Sequence, residues 1–579
     1  MLLTMKNLCT FFCIILFSIS ILSAQENQQR YEKTAEDVLR WHELSERLRT
    51  SAPPTAPVAS IAEFEPMQGV LIAYVSGGFG IPYSLISQLA DMVHVTVAIS
   101  SSYLQNTVRN RLQQNGVNTD NVDFVIGAVD SYWTRDFGPW FILDGNNEFG
   151  VADFTYNRPS RPNDDEHMSI MANYLNVNHF DFPIVHTGGN YMSDGYGTAA
   201  STNLVYSENS DLTEAQIRQY CLDYLGIDNY HFTIDPQGEY IAHIDCWGKF
   251  LAVDKILIAQ LPVGAAHYQD YEDVANYFAN ATTPWGDKYK VYRVFEPGSV
   301  VSNARTPYTN SLILNDHVFV PITGTSYDAD AIDVYRAAMP GYTIVGVMEQ
   351  SSTPWYNTDA LHCRTHEIPD FGMLRITHFP TLGAQTFSPT FNFTANINNL
   401  SGLPIVTDSA RIYYRVITEN DTTPWNSTAM NNIGGTQWQG EISGITDSCE
   451  VQYYLFAKDG SDRRQFYPYM AQADPFIFTV APNTGNDSIT PGDDSTGIAQ
   501  FLAQNITISP NPATTQITIS APHAKQLFVY NAYGQIILQE NVGDTDTQVV
   551  DCSTWSSGTY IIVLSDISGN TVRKKIIKK

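Results

Sequence analysis

The chain has 579 residues, 43% of them hydrophobic, so it is too long for one ordinary domain and can bury a large core. Its 32 basic and 60 acidic residues give a formal net charge of −28, which excludes nucleic acid as a partner because the phosphates would be repelled. Beyond residue 24 the cysteines are few and odd in number, which argues against a disulfide framework and leaves room for a reactive thiol. They are Cys221, Cys246, Cys363, Cys449 and Cys552.

Residues 1–24 have the pattern of a cleaved signal peptide, with a lysine before an apolar run and the small residues LSA before Gln25. The apolar run is too short for a membrane-spanning helix, and no later segment is long enough, so we predict an exported chain without a transmembrane segment. Residues 25–56 are polar with a helical tendency and end in SAPPTAPVAS. This segment is predicted to be a removable leader or a surface helix.

Residues 57–383 alternate strand, helix and strand several times, which predicts an α/β catalytic domain built from similar modules. From 384 to 482 the helical pattern is absent, and short alternating strands predict a β-sandwich. Residues 483–500 are rich in Gly, Asp, Ser and Thr and are predicted to be a flexible linker. The last segment, 501–579, is again rich in predicted strands.

Cys363 is the candidate nucleophile. It is predicted to lie in a loop between His362 and Arg364, and cationic neighbours lower the pKa of a thiol. Cys246 is predicted to lie inside a strand and to pack as a small apolar residue.

The same predicted strand, EYIAHIDCWGKF (239–250), places His243 and Asp245 on one face, because residues two apart in a strand point the same way. Cys246 would then face away from them. A histidine and a carboxylate on one face can serve proton transfer, or they can form a satisfied pair in the core.

Two other types of site use some of these residues. His362 and His366, followed by Glu367, have a spacing that would suggest zinc on a helix, but Pro369 and the lack of an evident third ligand disfavour a metal site. A thiol protease would use Cys363, His243 and Asn310. It would leave the acidic residues Asp136 and Asp245 without a role.

A guanidinium group explains those two carboxylates. It is planar and carries donors on several edges, so Asp136 and Asp245 can each accept paired hydrogen bonds from it. They would hold its central carbon in front of the Cys363 sulfur. Because that carbon resists nucleophiles, positioning and proton supply must provide most of the rate.

Six segments in this order resemble the guanidine-modifying (pentein) superfamily and, within it, the Porphyromonas-type bacterial peptidylarginine deiminases, which are relatives of agmatine deiminases. They are AEFEPMQGVLIAY (62–74), WTRDFGPW (133–140), TGGNYMSDGYG (187–197), HIDCWGK (243–249), YTNSLIL (308–314) and DALHCRTHE (359–367). The C-terminal motifs resemble the sorting domain of the type IX secretion system of Bacteroidota. These motifs are SPNPA (509–513), GTY (558–560) and KKIIKK (574–579).

The resemblance implies a five-bladed, pseudo-symmetric α/β-propeller, then an immunoglobulin-like β-sandwich and a C-terminal β-sandwich sorting domain at 501–579. It implies no required cofactor, and the sequence leaves open a structural calcium or sodium ion. The implied partners are peptide or protein substrates with arginine and the type IX secretion machinery. We expect a monomer, secreted or attached to the outer surface of a Gram-negative Bacteroidota-type bacterium.

By the same resemblance Cys363 is the nucleophile, His243 the general acid and base, Asp136 and Asp245 the guanidinium clamps, and Asn310 the polar group beside the sulfur. Three further positions match residues that line the family's peptide pocket. They are Trp133, Tyr240 and Thr358.

In the family, two arginines of a YNRPRP motif grip the carboxylate of a C-terminal arginine. This chain reads YNRPSRP, so Arg158 and Arg161 are candidates, and the additional Ser160 either leaves one arginine in place or turns Arg161 to solvent. The segment DFGP (136–139) is more similar to agmatine deiminases. We therefore predict an enzyme that converts peptidyl, and especially C-terminal, arginine to citrulline. The alternatives are a small-guanidine (agmatine) deiminase and a non-catalytic surface adhesin.

Overall fold

The structure is a computed structural model that describes most of the chain beyond the N-terminus. The described ranges are 34–238, 241–299, 305–482, 506–511, 513–521, 524–531, 536–542, 547–556, 558–565 and 571–579. The predicted signal peptide, Tyr240 and the predicted linker lie outside these ranges. No helix of the described residues is long and apolar enough to cross a membrane.

The described residues from 59 to 369 form an α/β region with five separate sheets. Each sheet contains the same module of three strands. The first strand of the module pairs antiparallel with the central strand, and a helix connects the central strand to a third strand that runs parallel to it. In sheet I the first strand of the module, His366–Pro369, comes last in the chain. Parallel pairing requires such a crossover, so the repeating strand–helix–strand pattern of the sequence follows directly from this module.

We number the sheets I to V and give their strands in spatial order. Sheet I contains His366–Pro369, Met67–Ala73, His94–Ile99 and Val122–Ile126. Sheet II contains Ala59–Ser60, Trp140–Leu143, Phe149–Tyr156 and Asn178–His186, and sheet III contains Asn229–Thr233, Thr198–Thr202 and Met192–Ser193. Sheet IV contains Gly248–Ala252, Lys255–Gln260 and Lys290–Phe295, and sheet V contains Leu312–Leu314, His317–Ile322 and Thr343–Met348.

The longer helices of this region bury one face, and some of them begin and end at recognisable signals. Glu214–Leu225, for example, begins at a capping box formed by Thr213 and Gln216 and ends at Gly226, whose φ of 68° suits glycine. The α-helices between residues 60 and 370 are Tyr83–Met92, Leu104–Gln114, Thr134–Phe137, Pro162–Asp165, His167–Leu175, Leu204–Glu208, Glu214–Leu225, Tyr268–Asn280 and Asp328–Ala338. Short 3-10 helices lie at Thr119–Asn121, Gly188–Asn190, Ile244–Cys246, Pro297–Ser299 and His362–Arg364.

The described part of the predicted leader packs on this region. It contains the helices Ala35–Leu39 and His42–Arg47. Asp37 is buried, and its Oδ1 accepts a hydrogen bond from the backbone N of Ser160 at 2.9 Å. The additional serine of YNRPSRP therefore contacts the leader.

A β-rich region follows, with two sheets that share one hydrophobic core in which Phe393 packs against Tyr453 at a ring separation of 4.6 Å. Its first strand, Leu374–His378, pairs with Thr390–Asn399, so this region begins before the predicted boundary at residue 384. Strand pairing sets this boundary, and the pairing partner of Leu374–His378 is not visible from its own sequence. The remaining strands are Gly383–Gln385, Arg411–Ile417, Asn426–Ala429, Asn431–Gly434, Gln437–Ser443, Cys449–Lys458, Arg464–Tyr467 and Phe476–Val480, with a 3-10 helix at Ala471–Ala473.

The C-terminal segment contains two further sheets around a separate core. Its strands are Thr507–Ser509, Gln516–Ser520, Gln526–Asn531, Ile536–Asn541, Thr547–Asp551, Gly558–Ser565 and Thr571–Lys578. The chain thus has an α/β fold followed by β-rich regions, as the sequence predicts.

Candidate active site

Equivalent turns of the five modules carry the predicted site residues. In each module a short turn directly precedes the first strand, the one that pairs antiparallel with the central strand. From sheet I to sheet V, these turns contain Cys363, Asp136, Gly189, Asp245 and Asn310. Repeated modules place equivalent residues in equivalent positions, and the contacts described next show that these turns meet.

Asn310 connects the turn of Cys363 to the turn of Asp245. Its Nδ2 donates to Cys363 Sγ and to the main-chain O of Asp245, each at 3.2 Å. Its Oδ1 accepts from the backbone N of Cys363 at 3.2 Å. The buried sulfur therefore faces an amide donor, which favours negative charge on the sulfur.

His243 and Asp136 lie side by side, both buried, with His243 Nδ1 3.6 Å from Asp136 Oδ1. Burial, followed by the negative charge of Asp245, raises the pKa of Asp136 to about 7, although the charges of Arg158 and Arg161 lower it. Burial and a nearby negative charge both disfavour an ionised carboxylate, and a cation bound beside the carboxylate offsets both effects. The site therefore favours a positively charged ligand beside Asp136.

His362 links Asp245 to Glu63, a residue that sequence reasoning missed. Its Nδ1 lies 2.8 Å from Asp245 Oδ2 and its Nε2 lies 2.7 Å from Glu63 Oε1. Burial alone would raise the pKa of Asp245, but the hydrogen bond and charge of His362, with the charges of His243 and Lys249, hold this pKa below its usual value. Asp245 is therefore a carboxylate whose orientation is fixed by His362.

The two cationic neighbours predicted to flank Cys363 have other partners. His362 contacts the two carboxylates described above, and Arg364 forms a buried ion pair with Asp359 at 2.7 Å. Cys363 itself lies in the 3-10 helix His362–Arg364 rather than in a loop.

The pKa of Asp136 predicts the acid limb of the activity profile. Below pH about 7 Asp136 is protonated and loses the charge that faces a cation, so kcat/KM for a guanidine substrate should fall about tenfold per pH unit. Because Arg158 lowers this pKa, Arg158→Ala should move the midpoint of the limb to higher pH. Arg336→Ala, at an exposed ion pair, is the control. An unchanged midpoint in Arg158→Ala, measured from kcat/KM between pH 5 and 9, would contradict this assignment.

Gly189 occupies the centre of the site. A Cβ atom at this position would lie 2.6 Å from His243 Nδ1, 2.8 Å from Asp136 Oδ1 and 3.3 Å from Asp245 Oδ1. Three polar side chains therefore pack against the bare Cα of Gly189. The module repeat could have identified Gly189 from the sequence, because Gly189 lies in the turn of sheet III that is equivalent to the turn of Asp136 in sheet II.

Gly189→Ala should reduce kcat/KM by about 10²-fold, because displacement of reactive groups by about 1 Å lowers the rate by this factor. Gly248→Ala is the matched control, since its Cβ would find its nearest neighbour at 3.6 Å, an ordinary contact. The two variants are compared by steady-state kinetics and thermal melting. Equal kcat/KM in both variants would show that Gly189 does not set the geometry of the site.

Arg161 lies next to the site and not in solvent. Its Cζ is 4.6 Å from the centre of the Trp133 ring, and its Nη1 donates to Tyr156 Oη at 3.3 Å. The alternative in which Ser160 turns Arg161 outward is therefore wrong, because the backbone of Ser160 is held by Asp37 and the guanidinium stacks on an aromatic face.

Arg158 is also buried, and its Nη1 donates to Asn157 Oδ1 at 2.6 Å. Both arginines act on Asp136 through their charge. Of the three predicted pocket residues, Trp133 is buried beside Arg161, and the main-chain O of Thr358 lies 3.9 Å from Cys363 Sγ. Tyr240 lies outside the described residues.

Cys246 is not oriented as predicted. Residues Ile244–Cys246 form a 3-10 helix and the strand begins only at Gly248, so the two-residue alternation of a strand does not apply here. Cys246 Sγ lies 3.6 Å from Asp245 Oδ1 and 3.6 Å from the main-chain O of Thr358. It borders the site instead of facing away from it.

The alternative zinc site on a helix is wrong. His366 lies on a strand, and its Nε2 is 2.8 Å from the main-chain O of Pro139. His362 and Glu367 do approach one another together with Glu63, close enough for three metal ligands. Two cations already pair with these carboxylates, Arg135 with Glu367 at 2.6 Å and Lys249 with Glu63 at 2.7 Å, so a metal ion does not fit this cluster.

Comparison with protein families shows to which family the chain belongs. Residues 61–369, just over half of the chain, match the model of the Porphyromonas-type peptidyl-arginine deiminase family. The chain belongs to this family. Residues 507–579 match the model of a secretion system C-terminal sorting domain.

The similar proteins include agmatine deiminases. A candidate agmatine deiminase of Yersinia pestis is 26% identical over 292 residues, covering 43% of this chain and 77% of its own. One from Legionella pneumophila is 23% identical over 266 residues, covering 43% of this chain and 75% of its own. Among solved structures, a candidate arginine deiminase from Porphyromonas gingivalis matches with a TM-score of 0.47 at 18% identity, covering 54% of this chain and 98% of its own.

The family membership has two direct consequences. The protein is a guanidine-modifying deiminase, a hydrolase of C–N bonds in amidines. With its type IX sorting domain it is a secreted or cell-surface protein, and the secretion machinery is a partner.

Proposed function

We propose that the protein is a secreted protein-arginine deiminase that converts peptidyl, and especially C-terminal, arginine to citrulline and ammonia. The observation that supports this most is the meeting of Cys363, Asn310, Asp245 and Asp136 in equivalent turns, with His243 3.6 Å from Asp136. The arrangement brings the sulfur of Cys363, the imidazole of His243 and the carboxylates of Asp136 and Asp245 close together. A planar cation with several donor edges fits these groups.

The proposed reaction begins with the substrate guanidinium held between Asp136 and Asp245. The Cys363 thiolate attacks the central carbon, and the C–N bond to one terminal nitrogen breaks as His243 gives that nitrogen a proton, releasing ammonia. A covalent thiouronium remains on Cys363. Water then attacks the same carbon and gives one proton to His243. As the C=O bond forms, the second water proton is released, the C–S bond breaks with its electron pair returning to the Cys363 sulfur, and citrulline leaves. The nucleophile, the acid–base group and the carboxylates of this sequence all belong to the chain, and no cofactor takes part.

We further propose a five-bladed α/β-propeller for the α/β region. Its support is the fivefold recurrence of one module with a site residue at the same turn. Sheet I combines the central strand Met67–Ala73 with the last strand of the region, His366–Pro369, as ring closure requires. An immunoglobulin-like sandwich and a β-sandwich sorting domain would follow.

A peptide substrate is supported by export and by the two buried arginines beside Asp136, because an exported enzyme has little access to cytoplasmic agmatine. A small-guanidine deiminase is the second candidate, favoured by the DFGP segment and by the names of the curated relatives. A citrulline assay on peptides that end in arginine, with agmatine in parallel, separates the two. Turnover of agmatine with no product from any peptide would overturn the peptide proposal.

A free C-terminal carboxylate should increase the rate if Arg158 or Arg161 binds it. Loss of one charge-assisted hydrogen bond costs about 1.5–3 kcal/mol, so an amidated peptide should react roughly one to two orders of magnitude more slowly. Arg158→Ala is expected to remove more of this preference than Arg161→Ala, with Arg336→Ala as an exposed control. The measurement is kcat/KM for paired free and amidated peptides. Equal rates on both termini would show that the enzyme accepts internal arginines.

A further inference from the structure

Two thiols border the same space in the site. Cys363 Sγ lies 3.9 Å from the main-chain O of Thr358 and 3.5 Å from Asp245 Oδ2. Cys246 Sγ lies 3.6 Å from the same main-chain O and 3.6 Å from Asp245 Oδ1. The proposed reaction uses only one of them, and nothing in it explains why a second thiol stands against the same two groups.

Cys246 is kept as a protonated thiol in this position. Burial, then the negative charge of Asp245 and the neighbouring Cys363, raises the pKa of Cys246 well above its usual value. A protonated thiol does not compete for the guanidinium carbon. Its proton must be removed before its sulfur can attack an oxidised sulfur, and the hydroxyl that leaves such a sulfur can accept that proton.

We propose that Cys246 is the resolving thiol of Cys363, and that oxidation by a peroxide closes a reversible Cys246–Cys363 disulfide. This inference rests on the proposed function in taking Cys363 as the nucleophile. The partner molecule is a hydroperoxide, of which hydrogen peroxide is the simplest.

The Cys363 sulfur attacks one peroxide oxygen, the O–O bond breaks, and the second oxygen leaves with a proton as water, so that Cys363 becomes a sulfenic acid and the peroxide is reduced by two electrons. The Cys246 sulfur then attacks the Cys363 sulfur, and the S–O bond breaks. The departing hydroxyl takes the Cys246 proton and leaves as a second water. A small dithiol then reduces the Cys246–Cys363 disulfide to two thiols by thiol–disulfide exchange.

Access and geometry both permit this sequence. A path that admits the guanidinium of an arginine also admits hydrogen peroxide, which is smaller. Both sulfurs contact the main-chain O of Thr358, and both cysteines lie on single-turn 3-10 helices, Ile244–Cys246 and His362–Arg364. A bond of about 2.05 Å between the sulfurs requires rotation of both side chains and movement of these two short turns. Closure would draw Cys363 away from Asn310 Nδ2 and stop catalysis.

The disulfide would protect the nucleophile. Without a resolving thiol, a sulfenic acid is oxidised further to sulfinic acid, which a thiol reductant cannot reverse. With Cys246 in place, the exported enzyme would be inactivated by peroxide and restored when reducing thiols return.

The test treats the full-length protein with hydrogen peroxide, removes the peroxide with catalase, and then adds dithiothreitol. Wild type should lose activity and recover most of it, whereas Cys246→Ser should recover at least about tenfold less of its own starting activity. Cys221→Ser, another buried cysteine, should behave like wild type. Before reduction, mass spectrometry of wild type should show the peptides that contain Cys246 and Cys363 joined, with a loss of two hydrogens.

Two results would overturn the inference, namely full recovery in Cys246→Ser or absence of the joined peptides in oxidised wild type. The mass measurement needs no turnover. Failure of this inference is therefore distinguishable from failure of the proposed function, which the starting activity of untreated wild type reports.

Discussion

Replacing Cys363 with alanine is expected to reduce kcat for an arginine substrate by at least about 10⁴-fold, because loss of a covalent nucleophile removes the whole reaction course. The fold should persist. The change removes one sulfur atom, and Asn310 keeps its hydrogen bond to the main-chain O of Asp245. Citrulline formation and the thermal melting temperature of the purified variant are the two measurements.

Cys246→Ala is the matched control, since Cys246 is equally buried and touches the same carboxylate and the same carbonyl. It should keep activity within about threefold of wild type, because the cost of a small vacated volume falls on stability more than on the positions of reacting groups. If Cys246→Ala is inactive with an unchanged melting temperature while Cys363→Ala retains turnover, the nucleophile is Cys246.

Asp245→Asn should have the second largest effect. The variant loses the negative charge opposite the guanidinium, and each charge-assisted hydrogen bond contributes about 1.5–3 kcal/mol, so the loss of two corresponds to roughly two to four orders of magnitude in kcat/KM. The amide also presents a donor to His362, whose Nδ1 now lies 2.8 Å from the Asp245 carboxylate. The orientation of the side chain is therefore lost together with its charge.

Asp144→Asn is the control for Asp245→Asn, because Asp144 is also a buried carboxylate but accepts hydrogen bonds from backbone groups of its own turn, outside the site. It should lower the melting temperature and leave kcat/KM near the wild-type value. Steady-state kinetics on both variants show whether Asp245 holds substrate or supports the fold. Similar kcat/KM values for the two would mean that Asp245 supports the fold and does not hold substrate.

Much of the fold could be predicted from local sequence patterns. Strands such as Met67–Ala73, buried along most of their length, and helices such as Tyr268–Asn280, with one buried face, produce the two periodicities that separate strand from helix. The repeated order of these elements indicated the modules. The same patterns could not place Leu374–His378, because a strand of this length is compatible with any free sheet edge.

Only part of the candidate site could be predicted from the sequence. Glu63 and His362 are in hydrogen-bond contact although they stand 299 residues apart, and no local pattern connects them. Gly189 has no side chain to suggest chemistry. The orientation of Cys246 was wrongly predicted because a single-turn 3-10 helix replaces the expected strand, and three residues carry too little periodicity to distinguish the two.

The pairing of His366–Pro369 with Met67–Ala73 has a consequence for when the enzyme becomes active. The strand that follows Cys363 is the last of sheet I to be synthesised, and it pairs with the first long strand of the α/β region. Contacts between such distant segments form late, since the chain must first close the largest loop in the domain. A nascent chain therefore carries His243 and both carboxylates without a working thiol. Deimination therefore cannot begin before the whole α/β region, through His366–Pro369, has been made and folded.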